Sequence, residues 1–515
     1  MTAVNSAPKI SRRAVLGGAF AGAAAVALAS CSSTRSAPAT STVATSFDEL
    51  DAKIEEGIKS YGIPGVAVAV LAGGQEHVKG YGVTSVDHPV PVDADTVFRI
   101  GSTTKTFTGT TLMRLIDQGK VDLDAPVRLY LPQFSVADPA ASAEVTVRQL
   151  LNHSSGWLGD DLQDFGRGED AVSRYVASMT RLPQLTAPGT VFAYNNSGLV
   201  VAGRIIEVVT GSSYETAVRD LLIDPLELDH TRFFSDQIVG FNVAASHNVV
   251  NGKAVVDPAF WEFPRSCNPT GSLISSARDQ LRYARFHLGD GTAPDGTRLL
   301  GKNALQAMRS DPGPGGTLQV ELTGMGLTWM LRPSAENETI VQHGGTWAGQ
   351  RSGFFMVPSR GFAMTVLTNS EGGAQLTNDL FADDWALRRF AGLSNLPATA
   401  QSVGSADLAP FEGRYVAQQV VESGSLESVV IDFRGENGRL IGTIRDGADP
   451  STFLDGRPGP DENAGTTTGL AFYRPDYCLD LDADGQPTGT RSNFVRGPDG
   501  EVAWFANHGR LYRRQ

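Results

Sequence analysis

Strand-like segments in the first 390 or so residues fall at the two ends of that stretch. Val66–Leu71 and His77–Val83 come early, with Gly73-Gly74 at the turn between them. Leu327–Leu331, Thr339–His343, Gly353–Val357 and Phe362–Thr368 come late. Helical patterns lie between and after them. This arrangement predicts an α+β fold, one mostly antiparallel sheet flanked by helices. A chain of 515 residues is also too long for a single small core, so two domains are expected.

The helices carry their own punctuation. Ser46-x-x-Glu49 fits a capping box, Leu50, Ile54 and Ile58 share one face, and Gly62 and Pro64 stop the run. Leu199–Val209 is closed by Gly211, Ser212-x-x-Glu215 opens another helix, and Ser276-x-x-Asp279 opens one that runs to about Leu288. A helix over Leu376–Phe390 ends the unit, which places the first domain at residues 46–393. Residues 394–408 are rich in Ser, Ala and Pro and read as a linker. From Phe411 to Arg514 there is no helical period. Short alternating runs such as Ser428–Phe433 and Arg439–Ile444 sit between Gly, Asp, Asn and Pro turns, so residues 409–515 read as an all-β barrel or sandwich.

Residues 1–31 read as an address. Arg12-Arg13 precedes a mild Ala/Gly/Val-rich run, Ala14–Ala29, and no acid appears before Asp48. This resembles a twin-arginine export signal. The run ends Leu28-Ala29-Ser30-Cys31, which resembles a lipoprotein signal box with Cys31 as the lipidated residue. Residues 32–45 then form a tether, and the expected location is the outer face of the cell membrane, held there through Cys31. The formal net charge is −13, and the proposed signal removes Lys9, Arg12 and Arg13 but no acid. Such an acidic surface repels nucleic acid, which is not expected as a partner. No later stretch is long and apolar enough to span a bilayer.

The candidate chemistry starts at Ile100-Gly101-Ser102-Thr103-Thr104-Lys105. A helix pattern begins here, with Phe107, Leu112, Leu115 and Ile116 on its apolar side and Gly119 at its stop. Ser102 falls in the first turn and Lys105 lies three residues on, on the same face. A serine hydroxyl needs a base beside it to act as a nucleophile, and a lysine with a depressed pKa can serve. The helix N-terminus adds N–H groups suited to a developing oxyanion. The spacing alone is weak, because it recurs at Ser6 and Lys9 inside the leader, and an ordinary N-cap beside a surface lysine has the same pattern. His153 reads as a structural histidine at a helix end, since no carboxylate is placed to orient it.

Two further segments change the weight of that pair. Tyr194-Asn195-Asn196 precedes a helix, and His343-Gly344-Gly345-Thr346 ends a strand pattern. In order with Ser102 and Lys105, they resemble the motifs of the serine β-lactamase and penicillin-binding peptidase superfamily. The likeness is nearest to its class C β-lactamase, D-alanyl-D-alanine carboxypeptidase and esterase branch. Leu150–Gly156, Ala187-Pro188-Gly189, Pro225–Phe233, Ser272–Asp279 and Thr368-Asn369 add to it over roughly residues 47–395. The resemblance implies an acyl-enzyme on Ser102, with Lys105 and Tyr194 sharing proton transfer. It also implies substrate contacts from Asn196, His343, Gly344 and Gly345, and an oxyanion hole from the amides of Ser102 and Thr346. Asn196 would donate to the substrate amide and to Lys105. Some relatives carry a C-terminal lipocalin-like barrel, which fits residues 409–515. The substrate implied is a small molecule or peptide, and neither cofactor nor metal is called for.

The chain departs from the lactamase pattern where His343 and Gly344 replace a Lys-Thr pair. Histidine supplies positive charge only when protonated, so carboxylate-bearing substrates are expected to bind less well as pH rises through its pKa. The departure leans toward a D-amino-acid peptidase, carboxypeptidase or carboxylesterase. A class C-like β-lactamase and a slowly deacylating penicillin-binding protein are the alternatives. Cys267 and Cys478 are left as a pair across the domains or as two separate buried thiols.

Overall fold

The computed structural model describes residues 47–161, 163–257, 263–421, 423–446 and 467–515. The leader with Cys31, the tether and Ser46 lie outside these residues.

The early and late strands meet in one sheet. Strands β1 (Gly65–Ala72) and β2 (Gln75–Gly82) join β3 (Gly324–Met325), β4 (Met330–Pro333), β5 (Thr339–Trp347), β6 (Gln350–Val357) and β7 (Phe362–Thr368). The spatial order is β2-β1-β7-β6-β5-β4-β3, antiparallel throughout. The chain is thus closed by β1 against β7, with Val66 opposite Thr368 and Leu71 opposite Ala363. β1 is apolar at nearly every position because both of its faces are covered. Val66, Val68 and Val70 pack with Leu50 and Ile54 of α1 (Asp48–Tyr61), while Ala67 and Ala69 join the larger core under the helices. That core gathers α2 (Thr104–Asp117), α3 (Asn196–Thr210) and α4 (Ala277–Leu288).

α2 is buried almost all round, which its many threonines tolerate because most of their hydroxyls, Thr111 excepted, find partners. Thr108 Oγ1 lies 2.7 Å from Tyr214 Oη and Thr110 Oγ1 lies 2.8 Å from Tyr283 Oη. A helix so enclosed can carry a lysine into the interior at its first turn.

Local departures from expectation have local causes. Residues 327–329 turn before β4 rather than starting it: Gly326 N–H donates to Trp329 O at 2.7 Å and Thr328 has φ +67°. Ser213 caps the helix expected from Ser212, its Oγ accepting from Thr216 N. The helix expected over Leu376–Phe390 breaks at Asp383-Asp384, where Asp384 has φ +58° and its carboxylate accepts from Asn395 N at 2.7 Å.

The C-terminal strands close into an eight-stranded barrel. They are β8 (Gly413–Val420), β9 (Leu426–Glu436), β10 (Arg439–Asp446), β11 (Thr467–Arg474), β12 (Tyr477–Leu481), β13 (Pro487–Arg496), β14 (Val502–Asn507) and β15 (Arg510–Arg514). β15 pairs back onto β8, Arg514 opposite Tyr415. Tyr415, Phe433, Phe472, Phe494, Phe505 and Tyr512 fill the interior. The barrel docks through Glu321, whose carboxylate takes Tyr473 Oη at 2.7 Å, Arg474 Nη2 at 2.8 Å and Arg491 Nη1 at 3.2 Å. Cys267 and Cys478 are separate buried thiols in the two cores, the second of the two readings of these residues.

Candidate active site

Ser102 sits in a 3₁₀ turn, Gly101–Thr103, that runs straight into α2. The turn is fastened to β6. Ser352 Oγ donates to Ile100 O at 2.7 Å and lies 2.9 Å from Thr103 Oγ1, while Arg99 N donates to Gln350 Oε1 at 2.6 Å. β5 then approaches the turn backbone to backbone. A Cβ on Gly345 would lie 1.9 Å from Ile100 O and 2.6 Å from Ser102 N. A Cβ on Gly101 would lie 2.5 Å from Thr346 N. The amides of Ser102 and Thr346 are therefore neighbours only because both positions lack a side chain.

Lys105 is fully buried, and its Nζ donates to Ser102 Oγ at 2.9 Å and to Thr270 O at 2.8 Å. Burial drives its pKa well below the ordinary lysine value, Arg510 pushes it down further, and Asp160 opposes both. An amine in this setting is available as a base.

Tyr194 lies with its ring 4.9 Å from Lys105 Nζ. Burial raises its pKa, and a hydrogen bond with Ser102 opposes that rise without overcoming it. The two groups that both start near 10 are thus driven apart: the lysine toward the free amine, the phenol toward the protonated form. His153 supports this arrangement rather than reacting. Its Nδ1 accepts from Asn195 N at 2.9 Å, its ring stacks on Tyr194 at 4.5 Å, and burial holds it uncharged. That is the structural role its sequence context indicates.

Asn196 opens α3, which Asn195 caps by accepting from Gly198 N at 2.7 Å. Asn196 Nδ2 does not reach Lys105; it donates to Asp160 Oδ1 at 2.8 Å. His343 is 1% exposed, and its Nδ1 donates to Gly344 O at 2.7 Å. Burial, reinforced by Lys105, pushes its pKa down to about 3, so it is neutral near pH 7. The expected charge switch near the ordinary histidine value is therefore absent, for the plain reason that the ring is enclosed. Among the described residues its Nε2 makes no hydrogen bond within the protein.

The sequence pattern of the Beta-lactamase family matches residues 50–387. The chain belongs to the beta-lactamase family. It is 36% identical over 358 residues to Penicillin-binding protein 4 of Amycolatopsis lactamdurans, covering 68% of this chain and 93% of that protein. Protein flp of Staphylococcus aureus is 26% identical over 335 residues, 63% of each chain. The crystal structure of SurE superimposes with a TM-score of 0.70 at 26% identity, over 91% of this chain and 99% of its own. A class C beta-lactamase from Rhodobacter sphaeroides covers 64% of this chain and 97% of its own, with a TM-score of 0.52 at 24% identity, and shares the fold. The SurE match therefore extends into the barrel.

Within this beta-lactamase-family frame, the structure brings Ser102, Lys105, Tyr194, Asn196, His343, Gly344, Gly345 and Thr346 together. Two charged residues at the same place escaped the reading of the sequence. Asp160 accepts two bonds from Arg510 of the barrel, Nε at 2.6 Å and Nη2 at 2.9 Å, and both residues are buried. They are 350 residues apart, and no local pattern marks either one.

Proposed function

We propose that this chain is a serine hydrolase that forms an acyl-enzyme at Ser102 on an amide or ester, with a D-amino-acid peptide as its natural substrate. The observation that carries the reading is the fully buried Lys105, 2.9 Å from Ser102 Oγ and pushed toward its free-amine form. Lys105 takes the hydroxyl proton as Ser102 attacks the carbonyl. Tyr194, held as the phenol, donates a proton to the leaving group and is reprotonated by the Lys105 ammonium, which restores the free amine. The Ser102 and Thr346 amides receive the oxyanion. Water then repeats the sequence on the acyl-enzyme.

The D-amino-acid class is supported by the relatives. A SurE structure containing D-Leu superimposes on 91% of this chain with a TM-score of 0.68, and the match to Penicillin-binding protein 4 takes in 68% of it. A carboxylesterase is the second reading, favoured by the neutral His343, which offers no charge to a substrate carboxylate. The same neutrality weighs against efficient β-lactam hydrolysis. Nitrocefin, D-Ala-D-Ala peptides, D-amino-acid amides and short-chain esters assayed side by side test the reading. Turnover of D-configured amides above esters supports it, and nitrocefin as the best substrate overturns it.

Export and anchoring through Cys31 belong to the same proposal. Cys31→Ser is expected to move the protein from the membrane fraction to the soluble fraction; retention in the membrane removes the lipoprotein reading.

A further inference from the structure

The barrel interior is filled by aromatic rings, so its contribution to the first domain lies in its outer surface and turns. One turn reaches the active site. Between β14 and β15, Gly509 O accepts from Tyr194 N at 2.8 Å, and Gly509 comes so close that a Cβ there would lie 2.8 Å from Tyr194 Cβ. The next residue is Arg510. Its guanidinium carbon lies 5.1 Å from the Tyr194 ring centroid, and its fork grips Asp160. β8 holds the backbone of the same residue, Val420 N donating to the Asp160 carbonyl at 3.0 Å. Asp160 in turn receives Asn196.

We propose that Arg510 is a positioning residue of the active site, delivered by the barrel: its two-pronged grip on Asp160 fixes Asn196 and keeps a buried cation at the Tyr194 ring, which Lys105 also approaches. The proposal rests on the hydrolase reading, in which Lys105 acts as the free amine. Arginine suits the task because it stays charged when buried and its fork fits a carboxylate edge. Asp160 is 6% exposed and Arg510 7% exposed, so water screens this pair weakly.

The sign of each partner's effect can be read separately. Arg510 disfavours the ammonium of Lys105, and Asp160 favours it. The other titratable groups around Lys105 are held toward their uncharged forms. His153 and His343 are held neutral, Tyr194 is raised, and Cys267 is pushed up to about 12. The rise of kcat/KM with pH therefore follows the Lys105–Tyr194 unit.

The test is kcat/KM against pH for a neutral p-nitrophenyl ester, in the full-length protein and its Arg510→Gln, Asp160→Asn, Arg510→Lys and double Arg510→Gln/Asp160→Asn variants. Arg510→Gln is expected to move the rising limb to higher pH, and Asp160→Asn to move it to lower pH, each by on the order of half a unit or more. The double variant returns it close to wild type. Arg510→Lys keeps the limb in place while lowering kcat/KM about tenfold, because an ammonium cannot reproduce the fork. A merely structural contact would lower turnover in every variant without opposite displacements. Limbs that move the same way, or do not move, in folded variants overturn the proposal. If Arg510→Gln fails to fold, Asp160→Asn against Arg510→Lys decides: a downward displacement in the first alone supports the proposal, and none overturns it. Fluorophosphonate labelling of wild type, abolished by Ser102→Ala, reports separately on the underlying hydrolase reading.

Discussion

The site is assembled from two regions that contribute in different ways. The first domain supplies Ser102 and Lys105 from one turn of one helix, three residues apart. The barrel supplies Gly509 and Arg510, which reach Tyr194 and Asp160 across more than 300 residues of chain. The first contribution is mainly local: the 3₁₀ turn running into α2 puts both groups on one face, and Thr270 O also takes Lys105 Nζ. The second exists only after two domains have folded and docked. The pairing of Ser102 with Lys105 is therefore set mainly by local structure, while its electrostatic surroundings depend on tertiary assembly. Variants can separate the two.

The largest expected effect falls on the local pair. Ser102→Ala should lower kcat by three orders of magnitude or more, the range seen when one member of a coupled catalytic unit is removed. Measured turnover and intact-protein mass after exposure to an acylating ester check this. Near wild-type hydrolysis, or an adduct elsewhere, would remove Ser102 from the mechanism.

A smaller loss is expected from the backbone approach that joins the two segments of the first domain. Gly345→Ala must displace β5 or the Ser102 turn, because its Cβ would meet Ile100 O at 1.9 Å. A shift of this kind costs about 10²-fold in rate when it misplaces a reacting group. Assay of kcat, with circular dichroism to confirm folding, tests it; an unchanged rate would mean that the two amides do not act together.

The barrel's counterpart is milder and has an internal control. Gly509 and Gly489 both have positive φ, +75° and +88°, so alanine strains each backbone similarly. At Gly509 the new methyl would meet Tyr194 Cβ and Leu318 Cδ1, each at 2.8 Å; at Gly489 it meets nothing within 4 Å. Gly509→Ala should therefore lower kcat/KM about tenfold while Gly489→Ala leaves it unchanged. Equal behaviour of the two would reduce the barrel turn to a passive neighbour.

These contrasts also explain what the sequence discloses. The sheet is legible because the nearly unbroken apolar runs of Val66–Leu71 and Phe362–Thr368 state that both need burial on two faces. The helix start at Ser276 is legible because capping is a local act. The barrel is legible as alternating strands between turn residues. Arg510 is not, since nothing near it differs from any other arginine after a turn. The break at Asp384 is invisible for the same reason: it depends on Asn395, a partner that folding brings in. His343 lies between these cases. Its position in the motif is readable, but its charge is not, because charge depends on enclosure that only the folded chain supplies.

His343 gives the smallest predicted effect, and it concerns a pH profile. Its ring titrates at about 3 in the folded chain, against about 6.5 for an exposed histidine, because burial excludes the charged form. Between those values the unfolded chain binds a proton that the folded chain does not. The stabilising contribution of the neutral ring is thus complete above about pH 6.5 and is lost progressively as pH falls toward 3. His287, also pushed down to about 3, acts in the same direction. Urea midpoints should therefore fall from pH 7 to pH 5, and His287→Gln should flatten that fall. Substrate selection should behave differently. With His343 neutral from pH 5 to 8, a matched pair of substrates, one with a free carboxylate and one neutral ester, should give superimposable kcat/KM profiles that follow only the Lys105–Tyr194 unit. A separate limb near pH 6.5 for the carboxylate-bearing substrate alone would show that His343 charges in the complex. The enclosure that sets its charge would then be opened by substrate rather than kept.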